Sequence, residues 1–282
     1  MNRFNEATLK LLNSASLVGF SGGLRFFLAF ILAGIAPNLL LVIAASLIIY
    51  ATYTLDRSLD NKEDEVNHKE FMGASKATGL AASGIAILVG ISLFFSKQLF
   101  SPPVFPFIIG ILYSRGIPVG NRSIKLKAGF GIKNLVIGIT WGGMIGLVIL
   151  STGLAIAALV IGIYFGMKLF INSTIFDLKD VEGDLAAGIR TLPVVLGDKK
   201  LKYLLISICI VQHMIIAMAM MSGILVHAGV FLAYSFIVSG TVILYYSPAF
   251  ESDSSWLRRK FRILAINGEP IALVALSIVL PY

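Results

Sequence analysis

Nine runs of apolar residues, most of them near the length that crosses a bilayer, leave this 282-residue chain few ways to fold. A run of about 20 apolar residues spans the hydrocarbon core as a helix, because each backbone polar group must there be satisfied within its own segment. The runs fall at about 16–36, 38–55, 78–96, 100–113, 134–150, 153–176, 203–222, 224–247 and 263–281. The fourth is short and carries Pro102, Pro103 and Pro106, so its start is the least sharply drawn. Only 13% of the residues are charged, against about 25% in soluble domains. The expected fold is therefore all-α: a polytopic membrane protein of nine transmembrane helices bundled around a central cavity, one domain over residues 1–282. Met1 to Ala15 lacks the short apolar core and cleavage site of a signal peptide, so the first run is expected to be a retained helix. Cys209 is the sole cysteine, which excludes an internal disulfide and a multi-cysteine zinc site.

The connections alternate between long polar loops, near 56–77, 114–133, 177–202 and 248–262, and tight turns. Of the 23 Lys and Arg, 18 lie in the long loops and only Lys97 in a tight one. By the positive-inside rule this places the N-terminus and every long loop on the cytoplasmic side. The net charge of +8 follows from those loops rather than from a basic, aromatic-interleaved domain, which argues against a nucleic-acid partner.

Acidic residues are gathered as unevenly as the basic ones. Six of the 15 Asp and Glu lie between residues 56 and 70, and five between 177 and 198. Each cluster directly follows an apolar run, so both emerge at the same membrane boundary. Asp56, Asp60 and Asp64 are spaced by four, as are Asp180 and Asp184, with Asp177 three residues earlier; such spacing stacks carboxylates along one helix face. Like charges so placed repel unless cations sit among them. Magnesium takes a few carboxylates together with water and phosphate oxygens. Metal-bound diphosphate is a good leaving group, and an allylic cation left behind survives only where water is excluded. Spacing alone does not separate a diphosphate site from a cation-transport or lipid-headgroup site.

The stretch Asp177-Leu178-Lys179-Asp180-Val181-Glu182-Gly183-Asp184, continuing through Gly188, Arg190, Thr191, Leu192 and Pro193, resembles the second signature of the UbiA superfamily of intramembrane aromatic prenyltransferases. The first signature, an Asn and two Asp at four-residue spacing followed by a further Asn, corresponds to Asp56, Asp60, Asp64 and Asn67. The resemblance implies two Mg²⁺ ions, with Mn²⁺ able to substitute, bridging a polyprenyl diphosphate between the two motifs. Carried over by position, Asp56, Asp60, Asp64, Asp180 and Asp184 would hold metal, with Asp177 as a direct or supporting partner. Two departures stand out: Asp56 replaces the usual Asn, and the Arg-Pro that commonly follows Asn67 is missing, this chain reading His68-Lys69.

Residues 113–134 carry Arg115, Arg122, Lys125, Lys127 and Lys133 and no acid, which suits a membrane anchor and equally a diphosphate counterpart. The loop is similar to the family segment in which a Lys follows a Tyr by four residues, although Ile117 stands where that Lys would fall after Tyr113. The expected diphosphate-binding set is Lys127, Lys133, Arg57, Arg190, Lys168, Asn172 and Asn67, with Asp60, Asp184, Lys127 and Tyr113 closest to the chemistry. Arg25, Lys168 and Glu269 interrupt apolar runs, where charge is costly and faces a bundle interior; Glu269 with Pro270 marks a kink. Gly19, Gly22 and Gly23 suit close helix packing.

The expected activity is transfer of a prenyl group from its diphosphate to an aromatic or other lipophilic acceptor. The site would open on the cytoplasmic side of the cell membrane, with membrane lipid and no obligatory protein partner. A CDP-alcohol phosphotransferase is the enzymatic rival, but its Asp-Gly, Ala-Arg motif is absent here. A cation-coupled transporter would place its acids near mid-span, whereas most here lie at span ends.

Overall fold

Unbroken apolar sequence becomes helix wherever no proline or loop chemistry intervenes. The computed structural model describes residues 6–58, 74–115, 117–119, 122–124, 131–178, 180–186, 190–246 and 256–279. Its helices are α1 (Glu6–Leu32), α2 (Leu39–Ser58), α3 (Lys76–Ser96), α4 (Ser101–Arg115), α5 (Ile132–Leu150), α6 (Ala155–Asp177), the short α7 (Val181–Ala186), α8 (Leu192–Met221), α9 (Gly229–Tyr246) and α10 (Trp256–Val279). Eight of them are long and apolar enough to cross a membrane; α4, at 15 residues, is not.

The architecture is all-α, as expected, with one short hairpin inside the loop that follows α4. Ile117–Val119 (β1) and Arg122–Ile124 (β2) pair antiparallel, Ile117 opposite Ile124 and Val119 opposite Arg122. Alternating β-branched residues, with Gly120-Asn121 between them, favour a hairpin over the loop expected there. Helix starts also move outward. α1 begins at Glu6 because Thr8, Leu11 and Ala15 already give the polar N-terminal stretch a buried stripe. α8 begins at Leu192, and Gly197, with φ of 68°, breaks its helical geometry before the apolar run starts.

Successive long helices pack side by side, and α10 returns to pack on α1, so the helices close a ring. Membrane helices gain little from burying apolar groups against one another, so close packing of small residues carries the association. Gly19 is such a contact between α1 and α2: a methyl there would lie 2.8 Å from the Ser46 carbonyl oxygen. The tightest seam joins α5 and α6, where a methyl on Gly142 would sit 2.5 Å from the Gly162 carbonyl oxygen and 2.7 Å from the Gly166 nitrogen. Ser75 caps α3 by accepting from the Thr78 amide, and its own N–H donates to Thr8 at 2.8 Å, tying α3 to the start of α1.

The end of the ring away from the acidic segments is filled by Phe26, Met144, Ile161, Ile216, Phe231 and Leu273. On the outer face, an apolar groove of about 750 Å³ runs between α4, α5, α6 and α8 past Phe105, Ile139, Gly143, Phe170 and Ile208.

Candidate functional site

The second acidic segment begins in the last turn of α6. Asp177 is 3% exposed and both its oxygens are engaged. Oδ1 accepts from Lys133 Nζ at 3.0 Å, and Oδ2 accepts from Asn134 Nδ2 at 2.7 Å. Nine residues separate Asp177 from Lys168, which is half a turn off whole-turn spacing, so the two point to opposite faces of α6. Asp177 therefore looks toward α5, and its partners clamp the start of α5 to the end of α6. This argues for a supporting part rather than a direct ligand. Asn134, wholly buried, was not anticipated, because nothing in its local sequence marks it as the partner of a residue 43 positions away.

Asp184, on α7, is 5% exposed. Burial pushes its carboxyl up to about 6; the Thr191 hydroxyl opposes this, and the neighbouring Asp177 and Asp180 add to it. Asp180 is partly exposed, and its backbone accepts the Asp184 N–H at 2.8 Å. Lys133 stands in the combined field of Asp177, Asp184 and Asp180. Three carboxylates crowding one half-sheltered rim is an arrangement that a divalent cation relieves, and the donor set, all hard oxygens, suits Mg²⁺. Among the described residues no three potential ligands stand close enough to hold a metal by themselves. Asp60, Asp64, Asn67 and Lys127 lie outside the described residues, as does the side chain of Tyr113, whose backbone is in the last turns of α4.

From the first segment, Asp56 is exposed at the end of α2. Arg57 turns back to α1, donating to Ser14 Oγ at 2.5 Å with its guanidinium 5.9 Å from the Tyr53 ring. Tyr53 stacks on Trp141 of α5 and lies in the fields of Asp56, Arg57 and Lys133. Tyr53, near the end of α2, thus meets the middle of α5. Arg190 is exposed beside Thr191.

Lys168 does not join this rim. Its ammonium bonds Glu269 Oε1 at 2.6 Å, Ser235 Oγ at 2.9 Å and Ser239 Oγ at 2.5 Å, all in the ring interior. Glu269 supplies the reason: the buried lysine takes the nearest carboxylate, whereas Asp177 lies some 13 Å along the helix and is already bonded to Lys133 and Asn134. Tyr164 and His213 complete the cluster through Ser235, at 2.7 and 3.3 Å. His213 Nδ1 bonds the Cys209 carbonyl at 2.7 Å, which makes Nδ1 the protonated nitrogen. Asn172, one turn nearer the rim, is 7% exposed and its Nδ2 has no hydrogen-bond partner among the described residues. Pro270 cannot donate to the Ile266 carbonyl, and Arg25 Nη2 does so instead at 3.2 Å.

A closed ring of lipid-length helices, carrying carboxylates and a lysine on one rim, defines a polytopic membrane protein with an acidic boundary site. The model of the UbiA prenyltransferase family matches residues 39–267, and the chain belongs to that family. Digeranylgeranylglyceryl phosphate synthase of Halobacterium salinarum (strain ATCC 29341 / DSM 671 / R1) is 26% identical over 144 residues, 50% of this chain and 50% of that protein. The chain thus spans about half the length of the curated relatives it matches. Among solved structures, one concerned with digeranylgeranylglyceryl phosphate synthase in membranes matches with TM-score 0.59 at 16% identity, covering 97% of this chain and 98% of that one. A UbiA homologue from Archaeoglobus fulgidus bound to GPP and Mg²⁺ matches with TM-score 0.59 at 13% identity, covering 95% and 99%. The same homologue bound to Cd²⁺ gives 0.61 at 14% identity, with the same coverage. These likenesses establish a shared fold.

Proposed function

We propose that the chain is a membrane prenyltransferase that ionises a polyprenyl diphosphate and transfers the prenyl group to a lipophilic acceptor, releasing diphosphate. The observation that carries this reading is Lys133 bonded to Asp177 at the end of α6 and standing in the field of Asp180 and Asp184, in a member of a prenyltransferase family. GPP and Mg²⁺ bound to the structurally similar Archaeoglobus homologue support both the substrate class and a divalent ion.

Asp180 and Asp184, with Asp56, Asp60 and Asp64 from the first segment, would hold magnesium, which when bound neutralises charge on the departing diphosphate. Asp177 positions Lys133 through their ion pair, and Asn134 fixes Asp177 in turn. Lys133 and Arg190 would serve as cations for the outer diphosphate oxygens, and Lys127, Asn67 and the side chain of Tyr113, outside the described residues, would join them. Burial within the helix ring would exclude bulk water from the cationic carbon. We further infer nine spans forming one membrane unit, with the N-terminus and the rim on the cytoplasmic side, an orientation that the placement of Lys and Arg supports.

Purified protein given Mg²⁺, geranyl diphosphate and a lipid extract as acceptor source should release pyrophosphate. The Asp184→Asn and Asp60→Asn variants should lose about 10²-fold or more of that rate while keeping the wild-type elution profile. Undiminished turnover in either variant would refute the assignment.

A further inference from the structure

The last helix carries a buried cation to the acidic rim. Tyr246 ends α9, and Arg262, near the start of α10, lies over its ring with the guanidinium carbon 4.8 Å from the ring centroid. The ring is itself held in place. Its hydroxyl donates to the Arg258 carbonyl at 2.7 Å, and the Phe261 ring stacks against it with centroids 6.4 Å apart. Arg262 is 3% exposed and Tyr246 2%. An arginine fixed on an aromatic face keeps its charge at every pH the protein meets and has its direction set by the ring.

That direction is toward the second acidic segment. Arg262 heads the buried stripe of α10 that continues through Ile266, Glu269 and Leu273, so it stands on the face turned to the other helices. Ile266 and Tyr246 share one buried cluster with Leu178, which lies between Asp177 and Asp180. Arg262, one turn before Ile266, stands in the field of Asp180. From the start of α5, Lys133 is bonded to Asp177 at 3.0 Å and also lies in the field of Asp180. The carboxylates of this segment are therefore already in the company of two cations, brought by helices 129 residues apart at these positions.

Such cations have opposite effects on the two kinds of ligand that a rim of this type takes. A fixed positive charge weakens the pull of the carboxylates on a metal ion arriving alone. The same charge attracts an anion, and a guanidinium offers phosphate oxygens paired donors. A magnesium–diphosphate complex satisfies both sets at once, its metal facing the carboxylates and its oxygens facing the cations.

We propose that Arg262 is a positioning residue that makes metal loading depend on the diphosphate: its charge beside Asp180 holds off Mg²⁺ arriving alone and favours Mg²⁺ arriving with a diphosphate. The inference rests on the prenyltransferase reading and adds an order of events to it. The carboxylates stay poor in metal until the prenyl diphosphate enters, and the departing pyrophosphate takes its metal with it.

Full-length protein in nanodiscs is titrated by calorimetry with Mg²⁺ alone, and with inorganic pyrophosphate at saturating Mg²⁺. Arg262→Gln and Arg262→Met, the second keeping an unbranched stem over Tyr246, should bind pyrophosphate about tenfold or more weakly, the loss of one charged hydrogen bond. Both should bind Mg²⁺ alone about twofold or more tightly, because a repelling charge is gone. Arg262→Lys should return both affinities toward wild type. Shifts of opposite sign are the signature of a charge, since a packing defect weakens both ligands together. Unchanged pyrophosphate affinity in the neutral variants, weakening of both ligands, or Arg262→Lys behaving as Arg262→Gln does overturns the proposal. Loss of the wild-type elution profile in all three variants also overturns it, by making the arginine a folding residue. Geranyl diphosphate binding by the wild-type protein with Mg²⁺ is measured separately. Its absence sinks the prenyltransferase reading, whereas normal binding with unshifted variants sinks only this inference.

Discussion

A buried carboxylate standing in the field of other carboxylates holds its proton more tightly, and Asp184 is in that position. Burial and the fields of Asp177 and Asp180 leave its carboxyl near 6, well above an ordinary aspartate. The linkage sign follows: between about pH 4 and 6 the folded state binds more protons than the unfolded state, so this group's contribution to stability falls as pH rises through that window. Metal-free Asp184→Asn protein should therefore melt above wild type at pH 7–8, and the gap should close as the pH is lowered through about 6. A thermal denaturation series in chelator reads this directly. The same residue-scale logic applies to Lys168. Replacing it by Met strands Glu269, 5% exposed, without its ion pair and should cost about 3–5 kcal/mol. The double variant Lys168→Met/Glu269→Leu should recover most of that loss. Melting temperatures of the three proteins decide whether the pair is a mutual dependence or an incidental contact.

Helix α5 meets α6 at a distance that only glycine permits. A leucine at Gly142 must displace the Gly162 carbonyl and the Gly166 backbone, which are not the yielding ends of side chains. Gly142→Leu should destabilise by about 1–3 kcal/mol, seen as a lower melting temperature, with Gly240→Leu, where nothing lies within 4 Å, as the neutral control. The helices themselves were legible in the residues because hydrophobic length is a local property, and the eight longest appear where the apolar runs predict them. What escaped were features that depend on distant partners. Polar Glu6 to Ser14 continues α1 because Leu11 and Ala15 find neighbours, and α8 starts early on Leu192, which is buried beside Gly131. Of the site, the spacing of Asp177, Asp180 and Asp184 announced carboxylates on one segment, but could not say that Asp177 turns toward Asn134. Lys168 pairs with a residue 101 positions away, and no sequence window contains both.

At the scale of the whole molecule, the positive-inside rule predicts that the rim richest in Lys and Arg faces the cytoplasm. In a Cys209→Ala background, a cysteine at Lys199 should react with an impermeant maleimide only from the cytoplasmic side, and one at Ser151 only from the opposite side. Labelling of inside-out and right-side-out vesicles checks both, and reversed labelling would invert the orientation. Ring closure itself has a consequence in time. Arg25 and the Ile266 carbonyl it serves are 241 residues apart, so at translation speeds of 5–20 residues per second the guanidinium waits on the order of ten to fifty seconds for its partner to be made. During that interval the nascent protein has a positive group in the bilayer and an unfinished circle of helices around it. The insertion machinery must shelter both until the ribosome delivers α10.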